Sequence, residues 1–342
     1  MPSRRPSPAS RPNHDVARPA AGAPPGAAAA VGPRLGLAFG GGLPFGLVAL
    51  GVLRAIENDG LRIHRLAGTS MGSIIAASYA AGVSIDDCSA LFRDSFRKRR
   101  VLSILLRDLS FSGSGILRGQ EVTRMLEAFV GADLTFEDLR LPLRIPACDL
   151  ADGSEVVFDS GPVIPAIRAS ISLPGILAPF HYQGRQLVDG ALLRPIPVHL
   201  LGNDEVEVKI PVRAVRRRSR TQLHEDLQRA RREHRLSSIV RRRGEDLFSV
   251  VWRAMSLIMQ DEFAEMVFDD FDIYIKPQLD LELSQDTTRL DEIIQAGYEE
   301  TVRTLPAIRA ALEASAAGSP RQRQAESGHD PLSEALDAEF QD

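Results

Sequence analysis

The stretch RLAGTSMGSIIAASYAAG, residues 65–82, decides how the chain is read. It opens as the end of an apolar run, passes through Gly68-Thr69-Ser70-Met71-Gly72, and continues with helical spacing to a stop at Gly82. A strand that turns at once into a helix needs small residues on both sides of the turn, because the two backbones nearly touch. Gly68 and Gly72 are those residues, in the spacing G-x-S-x-G. The turn lifts the Ser70 hydroxyl above the sheet. It also sets Ser70 at a helix N-terminus, where unpaired amides and the helix dipole favour negative charge. Two readings follow: Ser70 is a nucleophile, or the glycines merely let a helix pack closely on a strand. The motif alone is weak, and its place at a strand–helix junction favours the nucleophile.

The alternation extends outward from this stretch. LGLAF (35–39) is a short apolar run ended by glycines, as in a buried strand, and LVALGVLRAIENDG (47–60) has helical spacing. RIHRLAG (62–68) predicts a second strand, residues 71–82 a second helix, and SIDD (84–87) the capped start of a third. LRIPACDL (143–150) and SEVVF (154–158) predict strands around the turn ADG, and FHYQGRQLVDG (180–190) a hairpin turning at Gln183-Gly184. EVEVKIPV (205–212) and FDIYIKP (271–277) are further strand candidates. Strand–helix–strand–helix order implies parallel strands with helices on both faces, an α/β layered fold.

Composition bounds the rest. The 342 residues are 44% hydrophobic and 25% charged, which suffices for a sizeable core. A net charge of -4 gives no signal for a nucleic-acid partner. Cys88 and Cys148, the two cysteines, stand far apart, which fits a reducing compartment and suggests neither a disulfide scaffold nor a metal site. No apolar run reaches the roughly 18 residues of a membrane span, and no secretory signal is visible. A cytoplasmic protein is expected, with room for peripheral membrane contact. Residues 1–33, rich in Pro, Ala, Arg and Gly, and the tail 313–342 read as disordered, leaving a domain at 34–312. The basic run 213–243 reads as a solvated or flexible insertion, with an anionic-lipid patch as the alternative. LSILLRDLSFSGSGIL (102–117) is either a mobile membrane-facing loop or a buried helix and turn. Oligomeric state is left open.

A second glycine cluster, FGGGLPFG (39–46), follows the first strand and opens the first helix. Such a loop aims backbone N–H groups at an anion, either a nucleotide phosphate or an acyl-transfer oxyanion. The nucleotide reading lacks a Lys-Ser/Thr pair, and Gly40, Gly41, Gly42 and Gly46 do not give G-x-G-x-x-G. Pro44 has no N–H, so donors come from about Gly41, Gly42 and Leu43, with Met71 across the site. A serine nucleophile needs a base. Of seven histidines, only His181 and His199 are reasonable triad members. Asp189 is the stronger candidate. It ends an apolar run and is followed by Gly190 and Ala191, so it can approach another backbone closely; partial desolvation raises a carboxyl's pKa into a useful range. A turn aspartate capping its own backbone is the plainer alternative.

The glycine loop, G-x-S-x-G and Asp-Gly-Ala stand in this order, and the set resembles the patatin-like phospholipase family. GVLRAIENDGL, AGTSMGSIIAASYAAG, VVFDSG, AIRASISLPGILAPF, LVDGALLRPIPV and DEIIQAGYEETVRTLPAI resemble its bacterial members, over about residues 34–310. The resemblance implies a three-layer αβα fold with a mainly parallel central sheet. It also implies a Ser–Asp dyad of Ser70 and Asp189, an oxyanion hole near Gly41, Gly42 and Met71, no cofactor, and phospholipid or lysophospholipid substrates. Leu43 stands where the family usually has glycine, Phe45 where it has a basic residue, and Arg194 where asparagine is common. Alternatives are a weak or inactive lipid-binding homologue, motivated by Leu43 and Phe45, and a Ser-His-Asp esterase using His181 or His199.

Overall fold

In chain order the computed structural model has β1 Leu35–Phe39, α1 Val48–Asn58, β2 Ile63–Gly68, α2 Met71–Ala80, α3 Ile85–Ser95, β3 Gly115–Leu117 and α4 Gln120–Val130. These are followed by β4 Leu143–Asp149, β5 Glu155–Phe158, α5 Val163–Ser170, β6 Gly175–Leu177, β7 Phe180–Tyr182, β8 Arg185–Asp189, β9 Val208–Val212, β10 Val215–Arg216, β11 Gln278–Leu279 and α6 Leu290–Ala316. The structure describes residues 33–42, 44–96, 108, 115–203, 205–216, 271–279 and 289–317. Leu43, most of the 102–117 loop, most of the basic run and nearly all of both tails lie outside the described residues.

The fold is mixed α/β around a seven-stranded sheet, hydrogen-bonded in the order β7-β8-β4-β2-β1-β9 with β5 also on β4. β9, β1, β2 and the start of β4 run parallel; β5, β7 and β8 add antiparallel pairs. β1 alternates large and small residues, and each set has its own neighbours. Leu35, Leu37 and Phe39 enter the main core with residues of α1 to α6. Gly36 and Ala38, with Ala67 of β2, leave room for residues 196–206, whose Ile196, Val198, Leu201 and Val206 form a second cluster.

Local signals match their elements. Ser84 caps α3, its hydroxyl accepting the Asp87 N–H at 3.1 Å. Gln183 (φ 49°) and Gly184 (φ 79°) make the positive-φ turn that a two-residue hairpin requires. One expectation fails. FDIYIKP does not form a strand; Ile275 makes a single parallel bridge to Val212. There Ile275 N–H donates to Pro211 O and Arg213 N–H to Ile275 O. Extending that ladder by one step needs an N–H at residue 211, and proline has none. Pro211 therefore ends the ladder on one side of the bridge, while on the other Val215 N–H donates to Pro277 O and β10 pairs with β11 in the same parallel register.

α6 comes from the far end of the described chain and packs on α1. Gly51 and Gly297 face each other's helix. A Cβ at Gly51 would overlap the Ile294 carbonyl oxygen, and one at Gly297 the Val48 carbonyl oxygen. Side-chain-free contact on both helices lets the backbones touch, so any side chain forces them apart. Gly51→Ala is expected to lower the unfolding free energy by about 1–3 kcal/mol, the usual cost of overpacking. A urea midpoint that falls at constant m-value would show it; an unchanged midpoint would not.

Candidate active site

β1 and β2 pair in parallel with Phe39 opposite Gly68, so the loops after them leave the sheet side by side at its carboxyl edge. Crevices outside strand carboxyl ends are where open α/β sheets hold ligands. Thr69 N–H donates to Phe39 O at 3.0 Å, tying the two loops together. Ser70 then takes φ 54° and ψ -124°, a conformation that L-residues avoid. Such strain costs on the order of 1–3 kcal/mol and persists only where surroundings enforce it. The glycines do so. A Cβ on Gly68 would lie 2.5 Å from Gly72 O, and one on Gly72 would overlap Phe39 O. Ser70 itself is partly exposed at the start of α2.

Asp189 reaches the same place from the opposite direction. Along β4, Asp149 N–H bonds Ser154 O beside β5, whereas Leu150 N–H bonds Gln186 O beside β8. Alternate residues of a strand face alternate edges, so even-numbered β4 positions face β8. Pro142 is also even-numbered, and its carbonyl accepts the Leu66 N–H of β2 at 2.9 Å. β2 and β8 therefore occupy one edge of β4 in succession. β2 runs parallel to β4 and β8 antiparallel, so their carboxyl ends converge. One ends at Gly68, two residues before Ser70; the other ends at Asp189. Gly190 permits the arrival, since a Cβ there would lie 2.6 Å from Pro146 O.

Asp189 is fully buried. Its Oδ1 accepts the Ala191 N–H at 2.9 Å, the self-capping turn that Asp-Gly suggests. Oδ2 is buried without a well-aligned hydrogen-bond partner among the described residues. Burial pushes the carboxyl up to about 7, and the Ala191 amide and the Ser70 hydroxyl offset part of that rise. The Ser70 hydroxyl is thus close enough to act on Asp189 but off ideal hydrogen-bond geometry.

In the glycine loop Gly42 has φ 109°, and Gly46 N–H returns to Gly42 O at 2.7 Å. Gly40 N–H donates to Val212 O at 3.1 Å and Gly41 N–H to Pro195 O at 3.4 Å. Gly41 abuts Ser70, since a Cβ on it would lie 2.6 Å from Ser70 Cβ. The amides of Gly42 and Met71 make no backbone hydrogen bond among the described residues. Phe45 is half-buried against the main core.

The histidines stand elsewhere. His181 is exposed on β7, and His199 Nε2 pairs with Glu155 at 2.8 Å. His64 Nδ1 accepts the Leu35 N–H at the opposite end of β1. Among the described residues no cluster of His, Cys, Asp and Glu could hold a metal ion, and no helix is long and apolar enough to cross a membrane. Residues of the stretch 168–172 also reach the site without having been singled out. Ser170 Oγ accepts the Ser70 N–H at 3.0 Å, and Ser172 O accepts the Asp189 N–H at 3.0 Å. The signal was present in PAIRASI, where Arg168 interrupts an apolar helical stretch and must be satisfied inside.

A strained serine thus stands at a strand–helix turn of an α/β fold, beside a buried carboxyl and a glycine loop. Residues 37–201 match the family described as patatin-like phospholipase. The chain is 37% identical over 180 residues to an uncharacterized NTE family protein of Mycobacterium tuberculosis strain H37Rv, covering 53% of this chain and 49% of the relative. It is 29% identical over 167 residues to lysophospholipase NTE1 of Saccharomyces cerevisiae, covering 49% of this chain and 10% of that protein. The chain thus spans about half the length of its mycobacterial relative. Among solved structures, VipD from Legionella pneumophila is similar with a TM-score of 0.44 at 17% identity, covering 81% of this chain and 67% of that one.

The raised pKa of Asp189 has a stability consequence. Between the ordinary aspartate value of 3.8 and about 7, the folded protein binds a proton at Asp189 that the unfolded chain has released. The group's favourable contribution is complete below 3.8 and is lost as pH rises through about 7. Asp189→Asn removes this dependence. Its stability relative to wild type is expected to improve from pH 5 to pH 8, measured by urea unfolding at both pH values. A difference independent of pH would contradict the shift.

Proposed function

We propose that the protein is a serine lipid acyl hydrolase of the phospholipase A or lysophospholipase type, working through Ser70 and Asp189. The observation that carries this reading is a strained, partly exposed serine next to a fully buried carboxyl held near neutral pKa, with none of the described histidines in reach. As Ser70 Oγ attacks the ester carbonyl, Asp189 takes its proton, and the amides of Gly42 and Met71 receive the oxyanion. Gly41, its amide bonded to Pro195 O, packs the loop against Ser70. Collapse expels the alcohol with the proton from Asp189 and leaves an acyl-Ser70 ester. Water then gives a proton to Asp189 and its oxygen to the acyl carbon. The fatty acid leaves, and the proton returns to Ser70. A base with pKa near 7 is half ionised at neutral pH and strong enough to assist a hydroxyl. The family match and the lysophospholipase relative support lipid esters as the substrate class. A substrate of that kind implies peripheral membrane contact.

A second reading, an inactive lipid-binding homologue, rests on Phe45. It packs into the core where a cation would otherwise stand beside the loop. The two readings separate in one experiment on p-nitrophenyl esters of short and medium chain. Ser70→Ala and Asp189→Asn are each expected to lower kcat by on the order of 10³-fold or more, and the double variant to be little worse than either. In wild type, kcat/KM should rise with pH through about 7, the Asp189 value. Absence of turnover by folded wild type, with liposome binding that survives Ser70→Ala, would instead establish the lipid-binding reading. Full activity in variants of His181 and His199 sets aside a histidine triad; its loss in either would restore it.

A further inference from the structure

Ser70 and Asp189 lie on different strands, yet both backbone amides end on one three-residue stretch. Ser170 Oγ takes the first and Ser172 O the second, each at 3.0 Å. Ser170 and Ser172 are fully buried. The stretch leaves the end of α5 and is fixed by Arg168, which is 3% exposed. Arg168 Nη1 donates to Ser172 Oγ at 2.6 Å, and that hydroxyl donates back to Arg168 O at 2.7 Å. Its Nη2 donates to Arg118 O at 2.9 Å, and the guanidinium lies 5.6 Å from the Phe180 ring centre on β7. Asp108, also buried, caps α4 by accepting the Gly119 and Gln120 amides, and its charge favours the protonated arginine. A buried guanidinium is costly unless its donors are used. Here Nη1 is used on the bracket that receives the Ser70 and Asp189 amides, and Nη2 on the Arg118 and Ala178 carbonyls.

We propose that Ser170 and Arg168 are positioning residues for the Ser70–Asp189 pair. Ser170 Oγ holds Ser70 at positive φ by accepting its amide, and Arg168 sets the 170–172 stretch from which both amides hang. The Ser70 amide is thereby withheld from the oxyanion, which is left to Met71 and the glycine loop. The kinetic part of this inference rests on the hydrolase reading above; the conformational part does not.

The test uses the full chain with Ser170→Ala and Ser170→Cys, the second nearly isosteric but a weak acceptor. Ser70 phosphonylation by a fluorophosphonate, kcat, KM and melting temperature are measured, and the Ser170→Ala crystal structure is solved. Both variants are expected to lose about 10–100-fold in kcat and in phosphonylation rate, with KM within about twofold, as for a lost buried hydrogen bond. Ser70 φ should relax from positive to negative in Ser170→Ala. If Ser170 only fills space, Ser170→Cys keeps wild-type kcat while Ser170→Ala merely melts lower; that result overturns the proposal. Should Ser170→Ala fail to fold, the kinetics and structure of Ser170→Cys decide in the same way. If wild type neither turns over esters nor is phosphonylated at Ser70, the hydrolase reading fails. The anchor is then judged by Ser70 φ alone, relaxed supporting it and unchanged overturning it. Arg168→Lys, which cannot span the same acceptors, should show the same kcat loss at unchanged KM; wild-type kcat would remove Arg168 from the proposal.

Discussion

The site depends on one edge of β4 serving two strands in turn. β2 pairs with its start and β8 with its end, and their carboxyl ends face one another. A serine placed just past one end and an aspartate at the other are brought together by main-chain pairing rather than by long flexible side chains. This explains why small residues crowd the junction. Gly68, Gly72, Gly41 and Gly190 each sit where a Cβ would strike backbone or Ser70. Any of these side chains would push apart the two strand ends that the pairing brings together.

Two local costs concentrate there. Ser70 is held at positive φ, and Asp189 is held out of water with one oxygen lacking a well-aligned partner. Neither would survive in an isolated hairpin. The surrounding structure enforces both: the main core beneath β1 and β2, the Phe39–Thr69 bond between the loops, and the 168–172 bracket behind them. Strain and desolvation at one point, opposed by tight packing around it, is the usual physical signature of a functional centre.

Much of this was legible in the sequence, for identifiable reasons. The elbow was legible because G-x-S-x-G encodes a steric requirement that only glycine meets at Gly68 and Gly72. The hairpin at Gln183-Gly184 and the cap at Ser84 were legible because turn and cap chemistry is local. Asp189 stood out because a carboxylate between an apolar run and Gly-Ala has few plain explanations. What sequence could not supply was anything set by distant pairing. Pro211 removes a ladder donor on one side of the Val212–Ile275 bridge only because that segment lands beside it. Ser170 and Ser172 gain a role only once α5 is packed behind the elbow. The hydrogen bond of Gly41 to Pro195 likewise depends on residues 196–206 covering Ala38 and Ala67.

The glycine-to-glycine crossing of α1 and α6 bears on where this domain ends. The family match stops at residue 201, but the fold does not. β9, at 208–212, covers the outer side of β1, and α6, beginning at 290, lies on the helix that leads out of the glycine loop. A fragment cut at the end of the match would leave β1 as a bare, wholly apolar edge and strip the partner from α1. Its glycine loop would then spring from a helix with one side unsupported. The packed unit among the described residues, from β1 to α6, is therefore longer than the stretch that the family match outlines.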